Sequence, residues 1–342
     1  MPIIKEGNKA RAILLDLIDK KKALPCFCTE SVYTTEAIFK GAKDFKVKEG
    51  ISENLPLIIA FTASYEDRQQ LKNYTGLSDF REGLLAVLAD IDRLSRSDGP
   101  YNDLDIIIHL DHAQPGQDDW ILAENTEMIS SVMWDCSHYS MQENIGMMQD
   151  FVKKYKESFI IEGAVDEIYN YSPDGENLGV IDNITEPATA ESYFKETGCD
   201  LIVANLGTEH RRTEGTVEYH GDVARKIKDR IGSRLVLHGT SSLKEEELKN
   251  LRHDGIVKVN LWGNLESKPG KKMAETIVRN LEHMLSSETI EQLIDEGYLH
   301  PDMKNKAFKP SIQFLTEKYR RDEVYLPDAV ATIMKFYDVL YK

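Results

Sequence analysis

Cysteine, long apolar runs and positive charge are all in short supply in this chain, and each shortage excludes a class of protein. Only four cysteines, Cys26, Cys28, Cys136 and Cys199, occur in 342 residues. They are too few and too irregular for a disulfide framework in a chain this long, so a reducing, cytoplasmic setting is expected. No apolar run approaches the roughly 20 residues of a membrane span, and the stretch from Met1 to Lys22 is charged throughout, without a signal-peptide core. The chain therefore reads as soluble and unprocessed, with no membrane partner. Lys and Arg number 42 against 58 Asp and Glu, a net charge of -16. That balance argues against a grip on nucleic-acid phosphates, and an acidic ligand would have to be met by a local positive site such as a metal ion. Internal repeats, low-complexity runs and an interdomain linker are also missing.

What is present is a rhythm of short apolar runs separated by helix-like spacers. The runs are Leu24 to Phe27, Leu57 to Phe61, Leu104 to Leu110, Val132 to Trp134, Phe159 to Ile161, Leu201 to Leu206, Leu235 to Leu237 and Ile256 to Val259. Continuous rather than alternating apolar character predicts parallel strands covered on both faces. One spacer, Arg81 to Leu94, sets Leu84, Leu88, Ile91 and Leu94 on one helical face, and Asp222 to Ile231 is a shorter example. Eight such units predict an α/β fold, a closed (β/α)8 TIM barrel whose catalytic groups come from the C-terminal strand ends. Glu167 to Thr189 is polar and turn-rich and predicts a long loop over those ends. Lys268-Pro269-Gly270-Lys271-Lys272 predicts a solvated loop. From about Ser286 the pattern becomes helical, and Val330, Met334, Tyr337 and Tyr341 form an apolar stripe suited to packing on the barrel or on a partner subunit.

Three histidines stand at predicted strand ends. His109-Leu110-Asp111-His112 closes one run, Gly207-Thr208-Glu209-His210 follows another, and Leu235-Val236-Leu237-His238-Gly239 closes a third. Neutral imidazoles bind zinc and similar ions well, and three protein ligands leave a position open for a substrate oxygen. If two oxygens of a hydroxyketone chelate such an ion, an enediolate is stabilised and carbon–carbon bond formation or cleavage becomes accessible. Asp111 would be a natural proton-transfer group beside it. Because Asp111 and His112 are consecutive, their side chains start on opposite faces of the strand, and convergence requires a local bend. His109 reads as an orienting group or as barrel filling. His138, His220, His253, His283 and His300 have no comparable strand context and read as exposed or structural. Cys136 reads as a small buried thiol, and Cys26 with Cys28 forms no recognisable metal pair.

From about Ala10 to Leu265 the sequence resembles the class II, metal-dependent fructose-bisphosphate aldolase family. The matching blocks run in order: Leu24-Pro25-Cys26-Phe27, His109-Leu110-Asp111-His112, Ser131 to His138, Glu143-Asn144-Ile145, Thr197-Gly198-Cys199-Asp200, Gly207 to His210, Leu235 to Gly239, and Lys258-Val259-Asn260. The resemblance implies a single barrel domain over 1–342 with a helical extension from about 286. It implies His112, His210 and His238 as ligands of a divalent ion, with Zn2+ favoured, and Asp111 as the acid/base at the cleaved hydroxyl. Asp135 and Glu162 match positions near an alternative metal site, and Asn260 matches a substrate contact. A homo-oligomer and a small anionic sugar substrate are further implications.

Several positions depart from the family pattern. Ala164 replaces a carboxylate, and the loop that should carry a proton-abstracting acid offers Glu167, Asp174 and Glu176. The glycine-rich turn His-Gly-Gly-Ser-Gly reads His238-Gly239-Thr240-Ser241-Ser242, leaving Gly239, Thr240 and Ser241 as anion-binding candidates. Trp262 and Asn264 stand where the family has carboxylates. Arg211 and Arg212 follow His210, and Arg211 suits an anion. The expected activity is a class II aldolase acting on a phosphorylated ketose or related acidic sugar in carbohydrate metabolism. Two alternatives remain: aldol or isomerase chemistry on a non-bisphosphate hydroxycarbonyl, and a catalytically silent barrel that binds a metabolite or partner.

Overall fold

Eight parallel strands close on themselves in chain order in the computed structural model, each hydrogen-bonded to its sequence neighbours and β8 to β1. They are β1 (Leu24–Cys28), β2 (Leu55–Thr62), β3 (Leu104–Ala113), β4 (Ser131–Trp134), β5 (Ile160–Ala164), β6 (Leu201–Val203), β7 (Leu235–Leu237) and β8 (Ile256–Leu261). The structure describes residues 2–66, 68–125, 127–167, 184–208 and 218–342. Apart from half-buried Asp105, every strand residue is buried, which is why the sequence shows unbroken apolar runs. The expected barrel is the one observed, and the expected runs differ from the strands mainly at their ends. β3 continues past Leu110 through the histidine motif, whereas β6 stops at Val203.

Local signals start the covering helices. Ser31 accepts a hydrogen bond from the Thr34 amide at the head of Val32–Lys48, and Asp79 caps Phe80–Leu94 through the Arg81 and Glu82 amides. Ser140 and Glu143 form a reciprocal capping box for Met141–Tyr155. Leu84, Leu88, Ile91 and Leu94 are buried as their spacing predicts. The segment expected as a loop to Thr189 ends earlier, because Pro187 opens the helix Pro187–Thr197, a first-turn position where its missing N–H costs nothing. Most of that expected loop lies outside the described residues.

A second correction concerns Lys268 to Lys272, which lies within the helix Gly263–Arg279 and not in a loop. Leu265 and Pro269 are both buried one turn apart, so packing outweighs the hydrogen bond that Pro269 removes. The terminal helix Leu326–Leu340 lies across Val32–Lys48. Gly41 makes that approach close: a Cβ there would sit 2.6 Å from Ile333 Cγ2. Tyr337 stacks on Phe45 at 5.1 Å and donates its hydroxyl to the Pro56 carbonyl at 3.0 Å. The predicted stripe of Val330, Tyr337 and Tyr341 is therefore committed to the barrel, with Met334 only partly buried. Among the described residues no helix is long and apolar enough to cross a membrane.

Candidate active site

The bend required by Asp111 and His112 is present. The β3–β4 register shifts between Leu110 and Ala113, and His112 takes φ +48°, a left-handed conformation unfavourable for a side chain of this size. The bulge brings consecutive side chains toward one site. His112 Nε2 lies 3.2 Å from Nδ1 of His238, which follows β7 directly. Asp111, His112 and His238 each present a ligand atom within 4.8 Å of the others, and all three are buried. Two imidazole nitrogens and a carboxylate gathered this closely are a donor set that suits a divalent ion. His210, the third expected imidazole, lies outside the described residues, as do Arg211, Asp174 and Glu176.

The supporting contacts fix each group. Asp135, just after β4, holds His112 Nδ1 at 2.6 Å, and its other oxygen accepts from the Ser137 amide at 3.1 Å and hydroxyl at 2.6 Å. This is how a carboxylate orients a ligand imidazole and selects its tautomer. Tyr65 stacks on the same ring at 4.2 Å with planes 9° apart. Burial pushes the Asp135 carboxyl up, but the His112 bond and charge and the Ser137 bonds outweigh it and hold the carboxyl at about 2.

Asp111 is fully buried between two donors. Asn260 Nδ2 reaches Oδ1 at 2.8 Å and Arg68 Nη2 reaches Oδ2 at 2.8 Å. Burial again opposes ionisation, yet His112, His238 and Arg68 keep Asp111 well below the usual carboxylate range. The Cys28 thiol sits 3.8 Å from Oδ2 and is itself pushed up to about 12, first by burial and then by Asp111. It is a neutral neighbour and not a nucleophile.

Arg68, Tyr65 and Lys258 were not anticipated. Arg68 comes from the polar segment after β2, where nothing in the sequence distinguishes it from surface charge. Lys258 carried a readable signal, a cation inside the apolar strand Ile256–Leu261. Its ammonium lies 2.7 Å and 3.0 Å from the two oxygens of Glu162 and 3.1 Å from His109 Nε2. Glu162, expected near a second metal position, is thus ion-paired with Lys258. Ala164 is buried, and its carbonyl accepts from Asn144 Nδ2 at 2.9 Å.

The turn after β7 starts at Gly239, whose φ of +71° needs the glycine, and continues as a short 3-10 turn Thr240–Ser242. Thr240 donates its hydroxyl to the Asn260 carbonyl at 3.2 Å. Ser241 is 3.6 Å from the position of a Cβ on Gly263, at the head of the long helix after β8. Glu167 is exposed and ion-paired with His138, so this candidate base is tied to a group on the barrel rim. Trp262 lies under the Arg68 guanidinium, 5.4 Å from carbon to ring centre.

A closed (β/α)8 barrel with buried imidazoles and a buried carboxylate gathered at its C-terminal strand ends defines a class of barrel proteins that carry their polar site at that face. Within that class, the chain belongs to the family described as fructose-bisphosphate aldolase class-II, whose model matches residues 8–319. It is 26% identical to YdjI of Escherichia coli (strain K12) over 163 residues, which cover 47% of this chain and 57% of that protein. It is 24% identical over 248 residues to the D-tagatose-1,6-bisphosphate aldolase subunit GatY of Klebsiella oxytoca, covering 71% and 77% of the two chains. The match to YdjI thus spans little more than half of that relative's length. In structure the chain is similar to fructose-bisphosphate aldolase from Campylobacter jejuni, with TM-score 0.66, 18% identity, and 98% and 94% of the chains covered. The YdjI aldolase structure gives TM-score 0.63 at 17% identity, covering 97% and 96%. At these identities the structural likenesses concern the fold.

Proposed function

We propose that this chain is a metal-dependent class II aldolase, a lyase that cleaves or forms a carbon–carbon bond in a phosphorylated ketose or related acidic sugar. The observation that carries this reading is the buried group Asp111, His112 and His238 at the C-terminal ends of β3 and β7. In this reading His112, His210 and His238 hold the ion, and Zn2+ suits their imidazoles best. When bound, the ion supplies Lewis acidity that stabilises negative charge on the ketose-derived half.

The chain's own residues handle the protons. Asp111, ionised between Arg68 and Asn260, takes the proton from the hydroxyl at the bond to be cleaved. That oxygen becomes the carbonyl of the departing aldehyde, and the bonding electrons pass to the ketose-derived carbon. A second acid, for which Glu167, Asp174 and Glu176 are the candidates, returns a proton to that carbon. In the synthetic direction both transfers reverse.

The substrate reading stops short of fructose 1,6-bisphosphate. Thr240 spends its hydroxyl on the Asn260 carbonyl where the family has a glycine, and this favours a changed anion pocket. GatY, by its name, acts in tagatose bisphosphate cleavage, which supports an acidic ketose as the class. The test is metal analysis of protein purified without chelator, joined to cleavage assays over phosphorylated and unphosphorylated ketoses before and after metal removal. Near-stoichiometric metal and metal-dependent, phosphate-dependent cleavage are expected. Turnover of unphosphorylated ketoses alone would move the assignment to a non-bisphosphate hydroxycarbonyl. Full turnover by His238→Ala or Asp111→Ala would overturn the site.

A further inference from the structure

The opposite face of the barrel carries a concentration of positive charge that the aldolase reading does not use. A cavity of about 870 Å3 opens there, lined by the approaches to β1, β7 and β8. Its wall carries six lysines and one arginine against a single carboxylate side chain, Asp19. The whole chain has 42 cations against 58 anions, so the cluster runs against the composition. Lys20, Lys249 and Lys342 have carboxylate partners in Asp16, Glu245 and Glu49. Lys21, Lys22, Lys228 and Arg252 have no carboxylate partner among the described residues.

Some of these four are held in place. The Lys22 ammonium sits 4.0 Å above the Tyr341 ring, and Lys228 donates to the His253 carbonyl at 2.7 Å. Lys21 is in the left-handed region at φ +56°, in a turn closed by its amide on the Ile18 carbonyl and by the Lys22 amide on the Leu17 carbonyl. Burial, followed by repulsion from Lys20 and Arg252, lowers the Lys22 ammonium from its ordinary range, as expected where like charges face one another.

We infer that this cavity is a binding site for a small polyphosphorylated anion, lying at the end of the barrel away from the Asp111 cluster. Four cations with no carboxylate partner among the described residues exceed what one monoanion neutralises, and the volume falls in the range of small-molecule sites. A long nucleic acid is disfavoured by the net charge of -16 on the whole chain. The bound anion would cross-link the turn before β1, the approach to β8 and the helix leading to β7. These segments are far apart in sequence, so ligand binding stabilises the folded chain by mass action.

The experiment uses the full-length protein and inorganic tripolyphosphate as the probe, in isothermal titration at 0.15 M salt, with orthophosphate in parallel. One tripolyphosphate per chain is expected, with orthophosphate at least tenfold weaker. At a probe concentration 100 times Kd, Tm should rise by about 4 °C. The variant Lys21→Gln/Arg252→Gln, which changes only surface-accessible side chains, should weaken binding at least tenfold. The control Lys304→Gln/Lys306→Gln should leave it unchanged. Equal weakening in both variants would reduce the effect to net charge and overturn the site. Orthophosphate binding as tight as tripolyphosphate would overturn the polyanion assignment. Binding lost in His238→Ala but kept in the Lys21/Arg252 variant would move the ligand to the metal end and overturn the inference. None of these readouts depends on aldol turnover.

Discussion

Asp135→Asn isolates the contribution of one carboxylate to the proposed metal site. The His112 Nδ1 to Asp135 Oδ2 distance of 2.6 Å is short for a nitrogen–oxygen pair, as expected for a charge-assisted bond. It fixes the ring proton on Nδ1 and makes Nε2, which faces His238 Nδ1 at 3.2 Å, the lone-pair nitrogen that would bind an ion. Asparagine is almost the same size but cannot satisfy all partners. With its amide oxygen toward His112, its NH2 group meets the Ser137 amide, a donor against a donor, so the 3.1 Å backbone bond is lost. Rotated the other way, the NH2 group opposes the His112 N–H and favours the wrong tautomer. Loss of such a supporting carboxylate typically costs 10- to 100-fold in metal affinity, about 1.4–2.7 kcal/mol. Competition between the apo-protein and a chromophoric zinc chelator measures this directly, with no need for a known substrate. Ser137→Ala, which removes only the 2.6 Å hydroxyl bond to the same carboxylate, should lose a few-fold. Zinc affinity of Asp135→Asn within twofold of the parent would refute the claim that this contact holds His112 in its ligand tautomer.

Three other substitutions probe the surroundings. Lys258→Met leaves Glu162 buried and unpaired, which should destabilise the fold by about 3–5 kcal/mol, while Lys258→Met/Glu162→Met should recover most of that loss; denaturant titration of both decides it. Arg68→Gln removes a cation that holds Asp111 low. The parent's advantage, about 1.5–3 kcal/mol, should be full at neutral pH and shrink as pH falls below the unfolded Asp value toward the depressed folded one. Thermal unfolding of apo-proteins across pH 3 to 7 reads this, and a gap that widens on acidification would reverse the assigned sign. Tyr337→Phe should cost about 0.5–1.5 kcal/mol by removing the buried hydrogen bond to the Pro56 carbonyl, with no change in metal affinity.

The barrel was legible because strands buried on both faces must be apolar throughout, and each apolar run marks one of them. The Asp111–His112 bend was legible as a requirement, since consecutive residues on a strand cannot share a site without one. Its means, a register shift and a left-handed histidine, depended on tertiary pairing with β4. Glu162 and Lys258 could have been matched in advance, because each is a charge inside an otherwise apolar strand and neither is tolerable there alone. Arg68 could not: it lies in a loop, and loops carry no periodicity from which to infer direction. Pro269 misled for a related reason, because its local effect was outweighed by burial beside Leu265. The rule that proline ends helices describes the chain before packing is counted.

The contacts beneath Asp111 also decide where its proton does not go. An ammonium only donates, so Lys258 at 3.1 Å makes His109 Nε2 an acceptor. The neutral ring then carries its proton on Nδ1, which donates to Ser131 Oγ at 2.8 Å. Burial first, and then Lys258, lower the His109 pKa, which keeps the ring in this neutral form. Its Nε2 lies 3.7 Å from Asp111 Oδ1, too far for a hydrogen bond and with no proton to offer. His109 therefore supports Asp111 sterically and electrostatically without serving as a relay into the barrel. Arg68, Asn260 and the neutral Cys28 thiol, the groups on the carboxylate oxygens, all donate to it. Among the described residues no acceptor beneath Asp111 is placed to take a proton from it, so in the proposed reaction the proton would return toward the open end of the barrel, as required of one group acting as base in cleavage and acid in synthesis.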